Sequence, residues 1–151
     1  TLRDRPVLLV NWLELMHPRA AFSSTRPQLP GQRKPGLGLA REASEMIGQM
    51  ARRLGFSGVV FRPAYLHVAY GARHHFAFDD PARQARFLAL LRDTAHLPLR
   101  DASRAVDEGR VLLNGKPYAW EATEMVHWLE PPSPPPDAGT VDPAAWHYQV
   151  R

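Results

Sequence analysis

The chain has 151 residues, of which 44% are hydrophobic, which is sufficient for one globular domain with a buried core. It has no cysteine, which excludes disulfides and thiolate sites, and no apolar run approaches the roughly 18 residues of a membrane span, so we expect a cytoplasmic protein with no membrane partner. The formal net charge of +4 comes from basic residues that are spread along the chain rather than grouped, so we do not expect a nucleic-acid partner.

The first predicted element is a core strand over residues 7–16. This stretch is nearly continuous apolar sequence that begins after Pro6 and stops at His17 and Pro18. Residues 19–25 are predicted to return as a second, antiparallel strand, so that the two strands form a hairpin. Residues 25–35 hold three prolines and a glycine, which indicates a loop.

A glycine-rich turn follows this loop and leads into an amphipathic helix that ends near Leu54. Such a turn leaves backbone N–H groups unpaired at the positive end of the helix dipole, where phosphate groups bind. Glycines after a proline can also form no more than a turn. The candidate phosphate-binding residues are Arg33, Lys34, Gly36, Leu37, Gly38, Leu39 and Ala40. The helix residues predicted to face the core are Leu39, Ala43, Met46, Ile47, Met50 and Leu54.

The rest of the chain alternates short apolar runs with helical periodicity. The predicted elements are a buried strand (57–62), a helix (64–75), a short strand (76–78) and two helices (82–95 and 99–108). A hairpin is predicted over residues 110–120, because Asn114-Gly115 supplies the positive φ angles of a type I′ turn. Residues 1–130 are therefore predicted to form one domain, and residues 131–151 a proline-rich linker and a tail. We expect Trp146 in the tail to dock on its own domain or on a partner.

The motif Arg33-x-x-Gly36-x-Gly38 resembles the R/Q-x-x-G-x-G/A turn that binds the pyrophosphate of acyl-CoA in the GNAT N-acetyltransferase superfamily. In that family the turn opens a long helix, and a strand and a second helix follow in the order predicted here. The resemblance covers residues 7–80. In its second motif Ala69 and Phe78 match the family's residues, whereas the family's Asn, Tyr and Gly positions hold Leu66, Arg73 and Ala77.

The resemblance implies an α/β fold with a GNAT-like mixed, mostly antiparallel sheet and helices on both faces. The family's first strands are missing here, and residues 81–130 form a C-terminal helix-hairpin addition that the resemblance does not cover. A hairpin without those strands leaves an apolar edge of unpaired backbone groups. We therefore expect a homo-oligomer or a partner chain to cover the N-terminal strand edge, although the Asn114-Gly115 hairpin or the tail could cover it instead.

The function that the resemblance implies is transfer of an acyl group from acetyl-CoA or another acyl-CoA to a small-molecule or protein amine. The alternative is a non-catalytic GNAT-like binding or regulatory module in a larger assembly. Transfer needs a base that keeps the amine neutral and an acid for the departing thiolate. Glu14 and His17 are the candidate bases and Tyr70 is the candidate acid, although an outward-facing, turn or core role is open for each. The histidines lack the spacing of a zinc site, so no metal is expected.

Overall fold

The computed structural model describes residues 1–11, 13–130 and 141–151. These residues form a mixed α/β structure with four helices and two sheets whose strands pair mostly antiparallel. The predicted α/β class is thereby confirmed. The proline-rich run 131–136, predicted as a linker, lies outside the described residues. Within the described ranges, no helix is long and apolar enough to cross a membrane.

Most of the helices and strands agree with the sequence pattern to within a few residues. The helices are α1 (Ala40–Arg53), α2 (Leu66–Ala72), α3 (Pro81–Asp93) and α4 (Leu99–Asp107). The strands are β1 (Val7–Val10), β2 (Gly58–Phe61), β3 (Ala77–Phe78), β4 (Val111–Leu113), β5 (Lys116–Pro117), β6 (Met125–Trp128) and β7 (Tyr148–Val150). A 3₁₀ helix, Pro143–Ala145, precedes β7. The strands that the sequence pattern did not indicate are β6 and β7.

The first sheet has the strand order β1-β2-β6-β3. β1 pairs in parallel with β2 over all four of its residues, and α1 lies between the two strands in the chain. The predicted hairpin of residues 7–16 and 19–25 is therefore wrong, because β1 ends at Val10 and residues 19–25 form no strand. Gly58, Val59 and Val60 of β2 are all buried, so β2 offers β1 an apolar partner that the serine- and threonine-containing stretch does not.

The second sheet has the strand order β5-β4-β7. Asn114 and Gly115 connect β4 to β5 with φ angles of +49° and +78°, so the predicted hairpin is confirmed. β7 pairs antiparallel with β4, and Trp146 packs half-buried against the core. Residues 148–150 of the predicted tail are therefore a strand of the second sheet, and Trp146, expected to dock on its own domain or on a partner, packs on its own domain.

The main hydrophobic core joins α2, α3 and α4 to strands of both sheets. Its most deeply buried large residues are Leu66, Phe87, Leu90, Val111 and Met125. Met125 belongs to β6, which lies in the first sheet between β2 and β3. The core thus depends on β6, a strand that cannot be distinguished from a loop by its length or by the periodicity of its sequence.

α1 packs on β2 through its smallest residues rather than through its large apolar ones. Gly48 and Ala51 are its buried positions, and a Cβ built on Gly48 would lie 3.8 Å from the side chain of Leu129. The predicted core face of this helix is therefore largely wrong, because four of its members are exposed: Leu39, Met46, Met50 and Leu54. Small residues let a helix approach a sheet closely, so the line of contact follows them.

Candidate functional site

The turn before α1 is held by a short ladder with the chain that follows β1. The N–H of His17 donates to the carbonyl of Pro35 at 2.8 Å, and the N–H of Leu37 donates to the carbonyl of Leu15 at 3.1 Å. Met16 and Gly36 form an antiparallel bridge between these two bonds. The ladder lies beyond the carboxyl end of β1, and α1 starts from it. In open sheets with parallel strands, ligands bind at this end.

Gly38 is the residue at which the chain turns into α1. Its φ of +77° lies in the left-handed region, and a Cβ built on it would meet no atom within 4 Å, so the space beside it is open. No acceptor among the described residues takes the N–H groups of residues 38–42. These groups open a helix of 14 residues, whose dipole adds positive potential at this end. This arrangement can hold an anion.

The N–H of Leu37 is arranged differently from those of Gly38, Leu39 and Ala40. It already donates to the carbonyl of Leu15, so it is not available to a ligand while the ladder is intact. Gly36 lies opposite Met16 in the bridge, which fixes its backbone in the ladder, and its own N–H donates to no acceptor among the described residues. Of the predicted phosphate-binding residues, Leu37 and Gly36 therefore shape the turn, and the backbone of the next three residues faces the opening.

Two side chains of the turn carry positive charge, and they differ in their partners. Nη2 of Arg33 donates to Oε2 of Glu14 at 2.7 Å, so the candidate base and a candidate phosphate ligand neutralise each other. Lys34 is exposed, and no ion pair of the described residues involves it. The structure therefore brings Glu14, His17 and the turn together, and Lys34 is the cation of the turn that forms no ion pair with a described residue.

Tyr70, the candidate acid, lies on α2 rather than in this ladder. The guanidinium carbon of Arg73 lies 3.5 Å from the centroid of the Tyr70 ring, and Nη1 of Arg73 donates to the carbonyl of Tyr70 at 2.6 Å. Arg73 therefore covers one face of the ring. No hydrogen bond or ring contact in the described part of the chain joins Tyr70 to Glu14, His17 or the turn. The structure does not assemble the candidate acid with the candidate bases.

The loop before the turn contacts α2 through Gly31. Its φ is +74° and a Cβ on it would overlap the ring of Tyr65, so a glycine is required there. Tyr65 stacks on His67 with 5.6 Å between ring centroids, and Nδ1 of His67 lies 2.9 Å from Oγ of Ser103. Burial lowers the pKa of His67. This pair joins α2 to α4. Because Ser103 is fully buried, its hydroxyl is not accessible as a nucleophile.

The most deeply buried charged side chain, Arg83 on α3, was not among the predicted residues. Its Nη1 donates to the hydroxyl of Tyr118 at 3.0 Å and its Nη2 to the carbonyl of Glu121 at 2.9 Å. Burial raises the pKa of Tyr118, so the hydroxyl stays protonated at neutral pH. The burial of Arg83 could have been predicted from spacing, because Arg83 precedes Phe87 and Leu90 by four and seven residues and so shares the buried face of α3 with them.

Comparison of the chain with protein-family models, with curated proteins and with solved structures gives no match. Among the residues that the structure describes, no group of three or more His, Asp or Glu side chains is arranged to hold a metal ion.

Proposed function

We propose that this chain is a GNAT-like domain that binds an acyl-CoA at the N-terminus of α1, and that its reaction is N-acyl transfer. The observation that supports it best is the opening at Gly38, at the start of a long helix. A positive φ and open space coincide there with the N–H groups of residues 38–42, which no acceptor among the described residues takes. The proposed donor is acetyl-CoA or another acyl-CoA, and the proposed acceptor is a small-molecule or protein amine. Helices on both faces of the sheet and a cytoplasmic location belong to the same proposal.

The residues of the turn fit the phosphates of such a donor. Backbone N–H groups at a helix N-terminus donate hydrogen bonds to a phosphate without any side chain, and Lys34 adds a cation that no carboxylate of the described residues pairs with. Arg33 is held by Glu14, but a phosphate competes with that carboxylate for the same guanidinium. Binding would thus release Glu14. The bound donor would supply an activated thioester.

Glu14 and His17 are the residues of this site that can take a proton from an amine. Glu14 becomes free to do so only when Arg33 turns to the ligand, which would couple base activation to donor binding. His17 is exposed, and its backbone is fixed by the bond to Pro35. Either residue is close to the turn, as a base for this reaction must be.

A second candidate function is a non-catalytic domain that holds acyl-CoA in a larger assembly. The observation that favours it is the position of Tyr70, which Arg73 covers and which no described contact joins to the turn. A domain with the phosphate site but without an assembled acid would bind the donor and leave the thioester intact. The two candidates share the binding site and differ in chemistry.

The binding site is tested by a pair of matched glycine variants. Gly38 and Gly109 both have positive φ, +77° and +68°, and a Cβ on either would meet nothing within 4 Å. Valine introduces the same backbone strain at both positions, but only at Gly38 does it enter the proposed site. We expect Gly38→Val to weaken CoA binding by about tenfold or more and Gly109→Val to leave it unchanged, measured by isothermal titration calorimetry. Equal affinities of the two variants, or no binding by the wild type, refute the proposal.

The chemistry is tested by thiol release from acetyl-CoA in the presence of a panel of amines. If Tyr70 is the acid, Tyr70→Phe should lower turnover by about 10²-fold with binding of the donor almost unchanged. A change in turnover of less than about threefold would show that Tyr70 is not the acid. Tight CoA binding, with no thiol released from acetyl-CoA in the presence of any of the amines, would support the non-catalytic candidate instead.

A further inference from the structure

α1 carries an exposed line of large apolar side chains along its whole length. This line, the α1 stripe, consists of Leu39, Met46, Met50 and Leu54, which are 46–66% exposed. At 3.6 residues per turn, the stripe lies about a quarter turn around the helix from the buried Ala51. A surface helix of a monomer usually turns such residues inward, but the stripe has no partner among the described residues.

The stripe lies on the side of α1 that faces the open edge of the first sheet. Gly48 faces Leu129, which follows β6, so that side of α1 points toward the middle of the sheet. The stripe lies on the other side of Ala51. In the order β1-β2-β6-β3, with α1 packed on β2, that other side is the side of β1.

β1 is an edge strand, and its outer side has no partner among the described residues. It pairs only with β2, and no further backbone hydrogen bond of the described chain involves Val7–Val10. Leu9 is 51% exposed on this strand. The β4–β5 hairpin and β7, which the sequence offered as possible covers for the edge, both lie in the second sheet. An edge of this kind is a template for another strand.

We propose that a second copy of this chain docks on this surface, across a twofold axis at the edge of β1. A twofold axis perpendicular to the sheet pairs β1 antiparallel with its copy. Because α1 connects two parallel strands, it runs back along them, and the same axis sets it antiparallel beside its own copy. One symmetry operation thus pairs the open edge and buries both stripes against each other.

The charges that border the stripe favour this antiparallel arrangement. Glu42 lies in the first turn of α1 and Arg53 in the last turn, both are exposed, and helical spacing places them on the same border of the stripe. In an antiparallel pair, Glu42 faces the partner subunit's Arg53 at each end, and Met46 meets the partner subunit's Met50 near the axis. A parallel pair would instead place like charges side by side.

The proposal is tested by sedimentation equilibrium of the full chain over a wide range of concentration. We expect a species of twice the chain's 17.0 kDa. Met50→Glu should weaken the dimer by about tenfold or more, because it buries a charge in the stripe. Leu88→Glu is the matched control, since Leu88 on α3 is exposed to the same 46% but lies outside the surface. Neither residue is part of the turn, so this readout does not depend on CoA binding.

Charge reversal tests the orientation of the pair. Glu42→Arg and Arg53→Glu should each weaken the dimer, and the double variant should recover it, since it restores two opposite-charge contacts. A single 17.0 kDa species at all concentrations overturns the proposal, as does a surface that binds only a different protein. A dimer that tolerates Met50→Glu, or that the double reversal fails to restore, shows that the copies meet elsewhere.

Discussion

Replacing Arg83 with methionine removes a buried charge and retains an unbranched side chain. In the native protein the guanidinium is fully buried, donates to Tyr118 and Glu121, and lies 4.7 and 4.5 Å from the ring centroids of Phe78 and Trp120. Two opposing effects compete in the variant. Loss of the charge relieves the cost of burying an ion that no carboxylate of the described residues neutralises. Loss of the donors leaves two oxygens without their partner.

The magnitudes indicate that the lost contacts outweigh the relief. Each hydrogen bond from a charged group contributes about 1.5–3 kcal/mol, so the pair contributes about 3–6 kcal/mol. The two ring contacts add about 2 kcal/mol together. The cost of burying an ion is several kcal/mol, but a guanidinium is weakly hydrated and loses less than an ammonium. We therefore expect Arg83→Met to lower the free energy of unfolding by roughly 2–4 kcal/mol.

Urea unfolding followed by circular dichroism and tryptophan fluorescence measures this difference. Arg86→Met is the control on the same helix, because Arg86 is partly exposed and its ion pair with Glu121, at 3.3 Å, is a surface pair. It should change the free energy of unfolding by less than about 1 kcal/mol. If Arg83→Met is as stable as the wild type or more stable, the cost of burying the charge exceeds the contacts and the reasoning is refuted.

Two further predictions concern backbone strain and pH. A Cβ on Gly38 or on Gly71 would meet nothing within 4 Å, but only Gly38 has a positive φ. We expect Gly38→Ala to lower the free energy of unfolding by about 1–2 kcal/mol and Gly71→Ala, inside α2, to raise it by roughly 0.5–1 kcal/mol. Thermal melts in which both changes have the same sign would contradict this. Burial lowers the pKa of His67, and burial together with His75 and Arg52 lowers the pKa of His127. The unfolded chain therefore binds more protons below about pH 6.5, so stability that is complete above this pH should be lost as the pH falls, and a urea midpoint that is unchanged between about pH 7.5 and about pH 5.5 would exclude this.

The elements that the sequence predicted correctly have signals that are local in the chain. α1 follows a glycine turn, α3 begins at Pro81 with Asp80 as its cap, and Asn114-Gly115 forces a tight turn whatever surrounds it. The turn at Gly38 belongs to the same group, since its positive φ precedes a helix that the periodicity already indicates. These features depend on residues within a few positions of one another, so the chain alone specifies them.

Tertiary structure decided which strands pair and which faces are buried. β1 pairs with β2 across more than forty intervening residues because β2 is apolar on both faces. The sequence of residues 7–16 does not indicate which strand is the partner. β6 is a strand only because β2 and β3 flank it, and β7 only because β4 has a free edge. The same applies to α1, whose contact line follows Gly48 and Ala51 because a sheet lies against them. Pairing energy is shared between distant segments, so it cannot be read from either segment alone.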